Sequence, residues 1–168
     1  MELKKRVDFR KVVIFGYAFL FLVYLIVGLT PAEAAHYNVD ANLIIPSIGL
    51  NSEVTRLELS NHKLETPDEI VGSFSRYENQ TLLIGHSSTV FTDLENVQIG
   101  DTVLYDDEIY IIYDKMVLEK SKISMNELLD DTRIKNLTIM TCAGEELDGG
   151  DATHRLIVRA EIISSEDE

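Results

Sequence analysis

Three side chains that could carry nucleophilic chemistry lie beside apolar runs of this sequence. Cys142 is the only cysteine and comes directly after NLTIMT, His86 follows TLLIG, and Arg155 stands second in HRLIVRAEII. A thiolate attacks a carbonyl carbon readily when an imidazole can move protons beside it, and a cation stabilises the oxyanion that then develops. We therefore expect acyl-transfer chemistry if folding brings these three residues together.

Each of these residues also has an ordinary interpretation. A lone cysteine after an apolar run is often a buried small side chain, and outside the cytoplasm it can be half of an intermolecular disulfide. A histidine at the end of a strand is common as well. The other histidines, His36, His62 and His154, have no setting in the sequence that points to catalysis.

Seven short runs rich in Val, Ile, Thr and Tyr recur between turn residues. Their spacing is typical of an all-β barrel or sandwich. Cys142 and His86 fall at the ends of two runs, and Arg155 falls at the start of the last one. The runs are residues 42–50, 53–59, 81–86, 101–105, 109–119, 136–142 and 154–163.

The last run alternates between two faces, as a strand does. Residues 156, 158, 160 and 162 form an apolar face, and Arg155 and Arg159 share the other. Arg159 is therefore the alternative to Arg155 as the functional cation.

Three Ser/Thr-x-x-Glu patterns predict short helices between the strands. In such a pattern the hydroxyl caps a backbone N–H while the Glu reaches back to the chain. The patterns begin at Thr66, Thr92 and Ser124, and Pro67 suits the first helical position of the first one.

The N-terminal segment is typical of a membrane anchor. It carries five basic residues ahead of an apolar run that contains no charge, and about 20 apolar residues suffice for a helix to cross a bilayer. Because basic flanks stay on the cytoplasmic side, we predict a single-pass protein of the cell membrane with an extracellular domain. A cleaved signal peptide, with AEA at 32–34 as its cleavage site, is the alternative. The predicted segments are a cytoplasmic N-terminus at 1–11, a transmembrane helix at 12–30, a linker at 31–40, one domain at 41–163 and an acidic tail at 164–168.

The charge balance restricts the partners. The chain has 15 basic and 29 acidic residues, a net charge of −14. Removing the five basic and three acidic residues of the first 35 positions leaves ten basic and 26 acidic, a net charge of −16. Nucleic acids and anionic headgroups require basic patches, so we predict no nucleic-acid partner.

Taken together, the stretches TLLIGHSS, TIMTC and HRLIVRAEI resemble the signature of the sortases, membrane-anchored cysteine transpeptidases of Gram-positive-type cell envelopes. In that family a His ends one strand after a Gly, a Cys closes a strand in a Thr-Leu-x-Thr-Cys pattern, and an Arg opens the next strand. His86, Cys142 and Arg155 match these positions, while Ile139 replaces the usual Leu. LIIPSIGLNSEV and FTDLENVQIGDTVLY extend the resemblance over residues 41–163.

The resemblance implies a closed eight-stranded β-barrel with a few short helices, and it implies a role for each residue. Cys142 would attack the Thr–Gly bond of an LPXTG-like sorting motif and form a thioester. His86 would protonate the leaving amine and deprotonate the incoming one, and Arg155 would bind the oxyanion or the substrate backbone. Thr141 would contact the sorting motif, the alternative being an ordinary strand threonine.

The implied partners are proteins with a C-terminal LPXTG-like motif and an amine acceptor, such as a peptidoglycan precursor or a pilin lysine. No cofactor or metal is expected, although calcium held by carboxylates at 106–108 or 145–151 is an alternative.

Residues 31–80 contain no Asp-Pro-aromatic lid, and 120–135 is too short for a helix-bearing insertion, so we expect a compact anchoring enzyme of unassigned class. A cysteine hydrolase and a barrel that only binds a partner are the alternative functions.

Overall fold

The structure is a computed structural model that describes residues 38–61, 63–129, 133–147 and 151–163. Eight strands lie in these ranges: β1 (Val39–Ile45), β2 (Leu50–Arg56), β3 (Val71–Tyr77), β4 (Gln80–Ile84), β5 (Thr102–Tyr105), β6 (Glu108–Glu119), β7 (Asn136–Leu147) and β8 (Asp151–Ile162). They close into one barrel in the order β1-β2-β3-β4-β7-β8-β6-β5. The predicted all-β, closed eight-stranded barrel is therefore confirmed.

Two parallel pairings decide which chain segments meet. β2 pairs with β3 and β4 pairs with β7 in parallel, and the other neighbours in the barrel are antiparallel. A parallel pair needs a crossover connection, which between β4 and β7 contains β5 and β6. Ile84 pairs with Met140, and β4 and β7 run in the same direction. The residues that follow Ile84 and those that follow Met140 therefore lie side by side at the same end of the barrel.

Alternate residues of the strands fill the barrel interior. On β8, Leu156, Val158 and Ala160 belong to the interior cluster and Ile157 to an outer one, as the alternation of the sequence predicted. Full burial of one such aliphatic side chain stabilises the fold by about 1.5–3 kcal/mol. The interior also buries Leu43, Ile45, Val54, Val71, Leu83, Phe91, Leu94, Val97, Val103, Tyr110, Ile112, Leu137 and Ile139.

A second apolar cluster covers the outer face of β4, β7 and β8. Its buried members are Leu82, Ile84, Leu128, Leu129 and Ile157. A single helical turn, α1 (Met125–Leu128), supplies part of this cover.

The predicted cap of this helix is confirmed, because the Ser124 hydroxyl accepts a hydrogen bond from the Asn126 N–H at 3.3 Å. Gln80 Nε2 donates to Leu128 O at 2.6 Å and ties the helix to the start of β4.

Of the other two helix predictions, the one at Thr66 is wrong and the one at Thr92 is met only in part. Residues 66–69 form no helix. Near Thr92 there is only a 3-10 turn, Leu94–Asn96, without a side-chain cap, because the Thr92 hydroxyl instead donates to Thr89 O at 2.7 Å. The capping pattern in the sequence therefore did not produce a capped helix, because the packing of the surrounding chain determined the local structure.

Strand boundaries also differ from the predicted runs. Residues 42–50 are not one strand: a 3-10 helix at Pro46–Ile48 interrupts them, and Gly49 reverses the chain at φ 65° with its N–H bonded to Pro46 O. β3 was not predicted, because VGSFSRY is rich in Gly and Ser rather than in β-branched residues. Its pairing with β2 and β4 makes it a strand.

The predicted transmembrane helix (12–30), most of the predicted linker (31–37) and the acidic tail (164–168) lie outside the described residues. β1 begins at Val39, two positions before the predicted start of the domain. Within the part of the chain that the structure describes, no helix is long and apolar enough to span a bilayer.

Candidate active site

His86, Cys142 and Arg155 project from one face of three neighbouring strands. Cys142 pairs with Arg155 across β7 and β8. Ile84 of β4 pairs with Met140 of β7 in parallel. His86 follows Ile84 by two positions, and Cys142 follows Met140 by two positions, so the two residues lie next to each other. Because side chains alternate with a period of two, Cys142 and Arg155 share the outer face that carries Met140 and Ile157. His86 lies just beyond the end of β4 and lines the same groove as the other two residues. The fold thus brings together the three residues predicted from sequence.

The strand ends differ from the prediction. Cys142 does not close its strand, because β7 continues to Leu147, and Arg155 does not open one, because β8 begins at Asp151. The acidic residues between Cys142 and Arg155 therefore lie mostly in the paired ends of these two strands, where cross-strand pairing satisfies the backbone of polar residues. A bulge between Ala143 and Glu146 contains Gly144 at φ 80°.

A buried hydrogen bond joins the ends of β4 and β7 directly beneath the candidate residues. The Thr141 hydroxyl donates to Gly85 O at 2.8 Å, and the Thr141 side chain is buried. It therefore fixes the residue before His86 to the residue before Cys142. Thr141 also lines the groove described below, and its role in substrate binding stays a prediction.

The turn after His86 is fixed by its own backbone. His86 O accepts from Phe91 N at 3.0 Å, and the Thr89 hydroxyl donates to Asp68 O at 2.7 Å. This second bond holds the β2–β3 connection beside His86, where Asp68 Oδ1 lies 3.9 Å from His86 Nε2. The Asp68 side chain is almost fully exposed, so the pair orients the imidazole only weakly.

Arg155 is held on the side of the groove by its own strand. Its Nη1 donates to Ala152 O at 3.0 Å and to His154 O at 2.8 Å, and its Nη2 donates to Asp151 Oδ1 at 2.6 Å. Lys120 forms an ion pair with the other oxygen of Asp151. Lys120 and then Arg155 hold the pKa of Asp151 well below its ordinary value, so this carboxylate is ionised at neutral pH.

An apolar groove of about 370 Å³ runs along the outer face up to the three candidate residues. Leu82, Ile84 and Met140 from the strands and Leu59 and Leu64 from the β2–β3 connection line it. Its shape and lining suit an extended peptide with an apolar side chain.

A second, polar groove of about 720 Å³ meets the first at the thiol. Ser87, Ser88, Asp68 and Glu146 line it. His86, Cys142 and Asp151 line both grooves, so the half-buried thiol can be reached from two sides. A still larger cavity of about 790 Å³ beside β2 is lined by neither Cys nor His and offers no comparable chemistry.

The remaining candidates lie elsewhere. Arg159 pairs with Thr138 and Asp114 and lines neither groove. The His154 Nδ1 shares a hydrogen bond with the Thr153 hydroxyl at 2.8 Å on the far side of the hairpin. His62 and His36 lie outside the described residues. The structure therefore favours Arg155 over Arg159.

Sequence reasoning missed Lys120 and Asp68 entirely and considered Asp151 only as one carboxylate of an acidic run. No signal in the sequence pairs Lys120 with Asp151, since they are 31 positions apart. No three or more His, Cys, Asp or Glu residues are grouped to hold a metal ion in the described ranges.

The chain is similar to proteins of one known family. Residues 43–163 match the Sortase domain family. Similar solved structures include a lid mutant of sortase A from Corynebacterium diphtheriae, with a TM-score of 0.59 and 22% identity over 81% of this chain and 76% of that one.

Two further structures have TM-scores of 0.58. Sortase A from Listeria monocytogenes is 17% identical over 75% of this chain and 88% of that one. Sortase C-1 from Actinomyces oris is 20% identical over 75% of this chain and 72% of that one. At these identities the likeness concerns the fold. A comparison with curated proteins gave no match.

Proposed function

The chain belongs to the sortase family of cysteine transpeptidases, and on that premise we propose that its reaction passes through a thioester on Cys142. The observation that carries the proposal is the meeting of His86, Cys142 and Arg155 on one barrel face, at the junction of two grooves. A nucleophile, a proton carrier and a cation are the groups that acyl transfer requires.

In the first step the Cys142 thiolate adds to a peptide carbonyl carbon. Arg155 donates hydrogen bonds to the developing oxyanion or to the neighbouring substrate backbone, a role suited to a side chain that stays charged at any working pH. The C–N bond breaks when His86 gives a proton to the leaving amine. The product is a thioester on Cys142.

In the second step an acceptor amine attacks the thioester carbonyl. His86, now neutral, takes a proton from this amine, the C–S bond breaks, and the thiolate is restored. His86 therefore acts once as an acid and once as a base, which an imidazole can do near neutral pH.

We propose that the acyl donor is a protein with a C-terminal LPXTG-like motif. The apolar groove, lined by Leu59, Leu64 and Leu82, supports this assignment because it offers burial to an aliphatic side chain upstream of the scissile bond. The polar groove beyond Cys142 supports approach of the acceptor amine from the opposite side. Peptidoglycan precursors and pilin lysines are the proposed acceptors.

We further propose that the enzyme is attached to the cell membrane through residues 12–30, with its barrel outside the cell. Support comes from the uncharged apolar run and the basic residues before it. Fractionation of expressing cells, with protease treatment of intact cells, tests this: the protein stays in the membrane fraction and only the barrel is digested. Release of a shortened chain into the medium would instead show a cleaved signal peptide.

The enzymatic proposal is tested with the full-length protein in detergent micelles, an LPXTG-type peptide and triglycine as amine. Mass spectrometry should detect the peptide-bound enzyme in wild type, no adduct in Cys142→Ala, and the ligated product in the presence of triglycine. Hydrolysis alone at saturating amine would favour the hydrolase, and absence of any adduct, with a thiol inert to alkylation, would favour a binding module.

A further inference from the structure

The guanidinium of Arg155 is unusually well fixed for a side chain beside a groove. Only 14% of the side chain is exposed. Both Nη1 hydrogens go to backbone oxygens of Ala152 and His154, and one Nη2 hydrogen goes to Asp151. Arg has five N–H donors, so Nε–H and one Nη2–H have no partner among the described residues.

The carboxylate of Asp151 is itself held from three directions. Its Oδ1 accepts from Arg155 and from the Ala152 N–H at 2.8 Å, and its Oδ2 binds the ammonium of Lys120. Lys120 comes from the 3-10 turn after β6, whereas Asp151 starts β8. The position of Asp151 is therefore determined by two separate elements.

The charges of this group do not cancel. Lys120 and Arg155 supply two positive charges against the single negative charge of Asp151, so this group of three residues keeps one net positive charge. A carboxylate paired with Arg155 alone would neutralise the cation and oppose a developing oxyanion. Because Lys120 shares the carboxylate, Asp151 can orient Arg155 without cancelling its positive charge.

We propose that Asp151, held by Lys120, is a positioning residue that aims Arg155 at the carbonyl attacked by Cys142. This inference rests on the proposed function and assigns a structural partner to its cation. Asp151 acts through Arg155: it fixes one edge of the guanidinium, and the two remaining donors are directed to the substrate.

The test compares Asp151→Asn with Glu161→Gln, a control that removes the same charge from the same strand at an exposed position outside both grooves. Acylation kinetics with an LPXTG-type peptide should show kcat lowered by about tenfold to 100-fold in Asp151→Asn, since small misplacements of a catalytic group have effects of this size. KM should change little. Glu161→Gln should behave as wild type, and Asp151→Glu should recover part of the rate.

Two readouts separate positioning from general damage to the fold. In an Arg155→Lys background Asp151→Asn should have little further effect on kcat, because the two residues act as one unit. Alkylation of Cys142 by iodoacetamide should be no slower in Asp151→Asn than in wild type, since removing a nearby negative charge does not disfavour the thiolate.

NMR spectroscopy detects the pairing of Arg155 with Asp151 without any need for catalytic activity. In ¹⁵N-labelled full-length protein, hindered rotation of the guanidinium should give separate Nη signals for Arg155 in wild type and in Glu161→Gln, and averaged signals in Asp151→Asn.

Wild-type kcat in Asp151→Asn, or full additivity with Arg155→Lys, would overturn the inference while leaving the proposed function intact. If wild type itself forms no thioester, the proposed function fails, and with it the catalytic part of the inference. Averaged signals in wild type would overturn the pairing by themselves.

Discussion

Cys142 and Arg155 stand directly opposite each other in the antiparallel pair of β7 and β8. The Cβ atoms of such partners are about 4.5–5.5 Å apart, which sets the cation beside the thiol without any loop having to close. Both strands continue beyond this pair, to Leu147 and back to Asp151. The nucleophile and the cation are therefore placed by the barrel itself.

Arg155→Lys should lower the rate of thioester formation by about 100-fold or more. The planar guanidinium directs several N–H donors at the oxyanion, and the ammonium of lysine replaces them with a compact charge. Arg159→Lys is the matched control, since Arg159 has the same orientation four residues along β8 and lines neither groove. Stopped reactions followed by mass spectrometry measure the adduct. A larger loss in Arg159→Lys than in Arg155→Lys would transfer the role to Arg159.

Thr141→Val should lower the free energy of unfolding by about 1–3 kcal/mol, because the buried Gly85 carbonyl loses the hydroxyl that it accepts from. Thr138→Val is a comparable buried change with a smaller expected effect. Its hydroxyl makes only a 3.5 Å contact to Leu128 O, which Gln80 also serves. Urea unfolding of both variants measures the difference, and equal losses would contradict a special role for the Thr141 bond.

Gly85→Ala should destabilise the fold by about 1–3 kcal/mol through overpacking. A Cβ at this position would lie 2.5 Å from Val90 Cγ1 and 2.8 Å from the ring of Phe91, a core residue. Because His86 is the next residue, transfer activity should fall as well. Phe91→Leu added to Gly85→Ala should restore part of both, measured by thermal unfolding and by ligation. Wild-type stability of Gly85→Ala would contradict this account.

Asp151 should make stability depend on pH in a defined window. Its pKa is lowered in the folded state from an ordinary value of 3.8 by Lys120 and Arg155. Its contribution is therefore fully present above the unfolded pKa and is lost as the pH falls through the folded pKa. The stability difference between wild type and Asp151→Asn should be constant between about pH 7 and pH 5 and should shrink below about pH 4. Urea unfolding at several pH values checks this, and a difference that grew on acidification would contradict the sign.

Leu64→Asp should raise KM for an LPXTG-type peptide by about tenfold or more, because a carboxylate replaces an apolar wall of the first groove. Ile99→Asp, at a strongly exposed position in the turn before β5, introduces the same charge away from both grooves. Its KM should equal that of wild type. Peptide titrations with both variants measure the effect, and an unchanged KM in Leu64→Asp would exclude this groove as the peptide site.

Much of the strand content was predictable because each strand has to bury one face. The alternation of Leu156, Val158 and Ala160 in β8 reports that requirement locally. β3 was not predicted because its residues have low intrinsic strand preference. It is a strand because it pairs with β2 and β4. The missing helix at residues 66–69 and the short, uncapped 3-10 helix after Thr92 have the same origin, since capping patterns are local and weaker than the packing of the whole chain.

The sequence by itself determined the types of the reacting groups and, through its motifs, the family to which they belong. His86, Cys142 and Arg155 each stand in a short stretch that can be read without knowledge of the fold. Only the tertiary structure decided how they meet, because the parallel pairing of β4 with β7 is a long-range event without a local signature. The same holds for the Thr141 bond to Gly85 across 56 positions and for the ion pair of Lys120 with Asp151. Such contacts depend on which strands pair and in which register. Many strands of this chain share the same alternation of buried and exposed residues, so that alternation does not specify the partner of any one strand.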